Sequence, residues 1–139
     1  MKKLELKLLT LCDFAMVSQE GKLSVIGMFD RIFTKKIPSS FVRSFVVAIV
    51  EGEPNNEYEI EFNIQGADGK SILPSKTLKI KLGNSGRSNL ITDLVNMPLP
   101  NFGEYTLSLR SESKPLGAMI FWVNRLGGQD GKRENKPAN

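Results

Sequence analysis

From Glu57 to Ile64 the chain alternates without a break: Tyr58, Ile60, Phe62 and Ile64 are apolar, while Glu57, Glu59, Glu61 and Asn63 are polar or charged. A period of two puts successive side chains on opposite faces of an extended strand, whereas a helix would scatter the same apolar residues around its axis. The segment is therefore a strand with one buried and one wet face, the pattern of an antiparallel sheet packed on one side. Leu78, Ile80 and Leu82 repeat the logic against Thr77, Lys79 and Lys81, and Tyr105, Leu107 and Leu109 form a third such run. The glutamates of one strand and the lysines of the next are expected to meet across a solvated sheet surface.

Strand signals return roughly every ten to fifteen residues, the spacing of a β-sandwich or barrel. The first strand carries Leu4, Leu6, Leu8, Thr10, Cys12, Phe14 and Met16 on alternate positions, with a bulge expected where Leu8 and Leu9 are both apolar. Ser18-Gln19-Glu20-Gly21 reads as a hairpin loop with Gln19 and Glu20 at its tip, leading into a second strand over Lys22–Phe29. The third strand is Phe41–Glu51, the sixth Asn89–Leu99, and the eighth runs from Lys114-Pro115 to Val123. No helical period competes, so the expectation is an all-β fold, an antiparallel β-sandwich of about eight strands. Asn101-x-Gly103-x-Tyr105-x-Leu107 resembles the Asp-x-Gly-x-Tyr-x-Cys corner of immunoglobulin-type sandwiches, with Asn101 and Leu107 replacing the aspartate and the cysteine. That resemblance implies an immunoglobulin-like sandwich in which the Tyr105 hydroxyl bonds back to nearby backbone.

At 139 residues the chain suits one core. We expect a β-sandwich domain over residues 1–123 and a flexible polar tail over 124–139, where Gly127, Gly128, Gly131 and Pro137 occur without an apolar period. The single cysteine, Cys12, forbids an intrachain disulfide, and Met1–Leu11 interleaves Lys2, Lys3, Glu5 and Lys7 with leucines rather than forming a signal peptide. The apolar run Leu116–Val123 is too short to span a bilayer. A cytoplasmic location with no membrane contact follows as the expectation. Half of the net charge of +4 belongs to Asn124–Asn139, so the body is nearly balanced and a dedicated nucleic-acid surface is not expected.

Histidine is absent, which removes the commonest general base and the usual zinc ligand. Asp13 and Asp30 are a conceivable carboxylate pair, but the expected hairpin sets them far apart along one ribbon, beyond the reach of acid–base partners. The five aspartates stand singly rather than in a calcium-binding cluster. Cys12, inside an apolar strand, reads as a small buried hydrophobe. Gly83 to Arg87 invites a phosphate-loop reading but lacks the following helix. No enzyme, cofactor or metal is expected.

Leu11-Cys12-Asp13-Phe14-Ala15, the stretch from Gly21 through Ile26-Gly27-Met28-Phe29-Asp30-Arg31 to Ile32, and Gly103-Glu104-Tyr105 carry a further likeness. On them the chain, from about Leu8 to Val123, resembles a bacterial family of small uncharacterised β-sandwich proteins, a domain of unknown function. The resemblance implies a sandwich and a bacterial source, and no activity. Asp30 and Arg31 within it, and Arg87 in the glycine loop, are candidate binding residues.

Two strands depart from the one-wet-face rule. In the third, Val42, Val46, Ala48 and Val50 oppose Phe41, Phe45, Val47 and Ile49; in the eighth, Met119, Phe121 and Val123 oppose Leu116, Ala118, Ile120 and Trp122. If these strands adjoin, Val42, Val46, Val50, Met119 and Phe121 form an outward apolar face, to be covered by a protein partner, by a second copy or by a loop such as 34–40 or 83–89. The expected function is a non-catalytic interaction or structural module; the alternative is a small-ligand or carbohydrate-binding domain using loops at one end, although Tyr58, Tyr105 and Trp122 fall at strand positions.

Overall fold

The computed structural model describes residues 2–127. Nine strands follow in order among them: β1 (Glu5–Val17), β2 (Leu23–Phe29), β3 (Arg31–Thr34), β4 (Ser39–Glu51), β5 (Glu57–Gln65), β6 (Lys76–Lys81), β7 (Arg87–Leu99), β8 (Gly103–Ser111) and β9 (Lys114–Arg125). One sheet has the order β2-β1-β4-β7 and the other β3-β9-β8-β5-β6. The pairing β4–β7 in one layer and β5–β8–β9 in the other matches the B–E and C–F–G pairings of immunoglobulin-like sandwiches. Every pair is antiparallel except β3 beside β9.

The ninth strand is β3, which the sequence does not announce because its four residues, Arg-Ile-Phe-Thr, are too few to show a period. Asp30 alone separates β2 from β3. There the chain leaves the first sheet for the second, and Asp30 C=O accepts the Trp122 N–H at 2.9 Å.

The corner at Asn101 closes as expected. Tyr105 is fully buried, its hydroxyl donates to Asn101 C=O at 2.6 Å, and it accepts the Asn101 N–H at 3.1 Å. Tyr58 anchors the other end of the sandwich: its hydroxyl donates to Lys2 C=O at 2.6 Å and accepts the Glu53 N–H at 2.8 Å. The β5 alternation is also as expected, with Tyr58, Ile60, Phe62 and Ile64 buried. Glu57 stands opposite Lys81 and Glu59 opposite Lys79.

The hairpin register differs by one residue from the expectation. Gly21 N–H donates to Ser18 C=O, Gly21 is left-handed (φ 86°), and Ser18 N–H donates to Lys22 C=O. This is a three-residue loop with a glycine bulge, not a tip at Gln19-Glu20, so Phe14 faces Ile26 and Cys12 faces Met28. The β1 bulge also lies earlier, at Lys7 between Leu6 and Leu8. Before it Leu4 and Leu6 face the other sheet; after it Leu9 and Leu11 do.

The expected outward face on the third and eighth strands does not exist. Those strands are β4 and β9, and they lie in different sheets. Val46, Val50 and Phe121 are 2%, 0% and 0% exposed in the core between the layers, and Met119 packs against it; of the five residues only Val42 is exposed. Periodicity could not choose the inward face because both faces of β4 are buried. Phe45 and Val47, on the outer side, join Cys12 and Ala15 in a second buried cluster, against which Leu8, Leu23, Val25 and Ile91 pack. The pairing of β1 with β4 ends at Cys12–Phe45, while β1 continues with β2 to Val17–Leu23. It is thus the end of the β1–β2 hairpin, not loop 34–40 or 83–89, that packs on this outer cluster.

The expected boundary at Val123 falls two residues early, since Asn124 and Arg125 belong to β9 and the Leu126 N–H donates to Thr34 C=O. Residues 128–139 of the expected tail lie outside the described residues.

Candidate functional site

The structure does not bring Asp30, Arg31 and Arg87 together. Asp30 and Arg31 lie where β2 passes into β3, and Arg87 opens β7, across the sheet beyond β1 and β4. Arg31 is engaged within the fold: its guanidinium lies 4.8 Å from the Trp122 ring centre and donates to Asn124 Oδ1 at 3.2 Å. Arg87 donates to Glu51 Oε2 at 2.7 Å. Cys12 is buried and leans towards Phe45 C=O at 3.8 Å, and burial pushes its thiol above the ordinary value. Asp13 lies beside Gly27, and among the described residues no three Cys, Asp or Glu side chains converge to hold a metal.

The three aromatics a sugar platform would use are occupied. Tyr58 and Tyr105 are buried, and Arg31 stacks over Trp122. A cleft of about 330 Å³ lies between Lys2, Lys3 and Lys114 over Leu4, Pro115 and Leu116, but the Tyr58 hydroxyl at its wall is already spent on backbone.

Apart from Val42 and Val95, the most exposed large apolar side chains among the described residues lie on the β1–β2 hairpin. Ile26 and Met28 are 59% and 62% exposed, and Phe14, Met16 and Val17 are each more than two-fifths exposed. Phe14 and Ile26 face each other across the ribbon, as do Cys12 and Met28, so Phe14, Ile26 and Met28 share one side of it. Phe14 also packs edge-on to Phe45, with ring centres 5.6 Å apart, which holds the hairpin to the outer cluster.

Four strands form the sheet edges: β2 and β7 in one sheet, β3 and β6 in the other. An open edge presents unpaired amides and carbonyls, and proteins guard such edges with charge, proline, bulges or brevity. The β6 edge carries Lys76, Lys79 and Lys81. The β7 edge carries Arg87, Asp93 and Pro98 and a left-handed Asn96, and β3 has four residues, one of them Arg31. The β2 edge, Leu-Ser-Val-Ile-Gly-Met-Phe, has neither charge nor proline. Its one irregularity is left-handed Gly27 (φ 70°), where the ladder skips Asp13–Gly27 and resumes at Cys12–Met28 in the same register count. Sequence reasoning missed this site because Ile26 and Met28 resemble core residues until the strand order shows β2 at an edge. Strand composition alone was the available signal.

Among the described residues no helix is long and apolar enough to cross a membrane. Residues 7–124 match the model of a family of unknown function, DUF6941. No curated protein matches the chain. Among solved structures, a β-glucosidase from Listeria innocua in complex with isofagomine is similar over 88% of this chain, at 9% identity and a TM-score of 0.53. The similar part is 16% of the glucosidase chain, so the likeness is to one module of that enzyme and shows the fold. An immunoglobulin-like protein from Pseudomonas aeruginosa is similar over 87% of this chain and 96% of its own, at 12% identity and a TM-score of 0.45.

Proposed function

The chain belongs to that family of unknown function, and from its own geometry we propose that it is a non-catalytic interaction module whose docking element is the β1–β2 hairpin. The observation that carries the reading is the β2 edge, open, uncharged and flanked by exposed Phe14, Ile26 and Met28. Strand addition to such an edge draws affinity from main-chain hydrogen bonds and specificity from the neighbouring side chains. The rest of the molecule acts as a scaffold that presents this ribbon, held down by the outer cluster of Cys12, Ala15, Phe45 and Val47. A photo-crosslinking residue placed at Met28 in the cell of origin is expected to give discrete adducts with protein, this chain included. The same residue at Lys79, on the lysine-guarded edge, is expected to give none. Equal adducts at both positions, or none at Met28, would refute the reading.

A further inference from the structure

We infer that the occupant of the β2 edge is a second copy of this chain, paired antiparallel through β2 about a two-fold axis at Ile26. The inference rests on the docking reading above and names its partner. Lys22 precedes β2 and Asp30 follows it, with no charge between them. Antiparallel pairing centred on Ile26 puts Lys22 of each copy opposite Asp30 of the other. It also sets Leu23 against Phe29, Ser24 against Met28, Val25 against Gly27 and Ile26 against itself. Opposite charges then close both ends of an apolar strand pair.

The neighbouring registers are worse. Centring on Val25 sets Asp30 against Glu20 of the second copy and so brings like charges together. Centring on Gly27 leaves Lys22 facing Ile32 and Asp30 facing Ser24. Charge therefore selects one register where the apolar residues alone would permit slippage.

Because the Ser18 N–H donates to Lys22 C=O and the ladder runs unbroken to Phe14–Ile26, alternation along the hairpin turns the amides of Ser24 and Ile26 towards β1. Those of Leu23 and Val25 turn to the open edge, and left-handed Gly27, which has no ladder partner at Asp13, interrupts the alternation beyond them. In the Ile26-centred register Leu23 and Val25 face Phe29 and Gly27, and the missing side chain of Gly27 leaves room beside Val25. The contact is isologous, so it closes at two copies and joins two four-stranded sheets, with the guarded β7 edges outermost.

Three measurements test the pairing. Sedimentation at tens of micromolar is expected to give twice the 15.5 kDa chain mass. Ile26→Cys would place two thiols at the axis in a non-hydrogen-bonded pair, with Cα atoms about 4.5 Å apart, within disulfide reach. It is expected to oxidise to a covalent dimer, whereas Val95→Cys, equally exposed on β7, is not. Lys22→Asp is expected to weaken the dimer by about tenfold or more, and Lys22→Asp with Asp30→Lys to restore it. A monomer at these concentrations, a dimer that Ile26→Cys does not trap, or a charge exchange that fails to rescue would overturn the self-pairing. Should Met28 crosslinks then identify a different protein, the docking reading stands without the self-pairing; should Met28 give no adduct, both fall.

Discussion

Tyr105→Phe isolates the chemistry of the corner from its packing. The ring is fully buried and stacks on Phe121 with centres 5.2 Å apart, and phenylalanine keeps all of that contact. Only the oxygen is lost, and with it the bond donated to Asn101 C=O and the bond accepted from the Asn101 N–H. Burial pushes the phenol above its ordinary value, so it is a neutral donor throughout the neutral range. Each bond contributes about 1 kcal/mol net, and half-buried Asn101 recovers part of the loss by meeting water, which sets the cost at about 1–2 kcal/mol. For a domain of this size that lowers Tm by roughly 3–6 °C. Urea unfolding should show a lower midpoint at an unchanged slope, because the surface exposed on unfolding is the same. Tyr105→Ala, which also empties the ring's site, is expected to cost about 3–5 kcal/mol. A Tyr105→Phe protein within about 0.3 kcal/mol of the parent would show that the two bonds contribute nothing net and refute the reasoning.

Gly27→Ala should destabilise by about 1–3 kcal/mol in urea, since φ is 70° there and the new Cβ would lie 2.9 Å from Asp13 Cγ. Adding Asp13→Ala should recover the steric part of that loss and leave the backbone part. Cys12 should react with a thiol reagent at least about a hundredfold more slowly in the native protein than in urea, because it is buried and its thiol is pushed up; equal rates would show the outer cluster to be open. Arg43 grips Asp93 through bonds of 3.1 and 2.7 Å and holds its carboxyl below the ordinary value. Stability from this pair is therefore present at neutral pH and lost as pH falls through that lowered value. The difference between the parent and Asp93→Asn should vanish in acid, and a constant difference would exclude the ion pair as its source.

How legible a strand was depended on whether one of its faces meets water. β5 and β8 announce themselves because glutamate or serine marks the wet face, and the tyrosine corner is readable because Gly103 and Tyr105 have fixed roles in the turn. β4 could be recognised as a strand but not oriented, since Phe45 and Val47 are as buried outside as Val46 and Ala48 are inside. β3 was too short for periodicity to show. Sheet edges were least legible of all, because an edge is a property of strand order. Nothing local to Ile26 or Met28 distinguishes an exposed side chain from a packed one.

The feature that hid the orientation of β4 also frees the hairpin. Were β1 paired with β4 along its whole length, the far half of β1 would lie flat in the sheet with no route to the outer face. Instead the pairing stops at Cys12–Phe45, and the continuing ribbon brings Ala15, Leu23 and Val25 onto the outer cluster. A ribbon packed in this way still has an open edge at β2, and its exposed apolar residues have no second layer to bury them. A guard on that strand would have cost little, as Lys76, Lys79 and Lys81 on β6 show. Its charges stand instead just outside the strand, Lys22 before and Asp30 after, where they leave the edge open and make its two ends complementary. That arrangement protects the edge poorly and suits pairing with an identical strand.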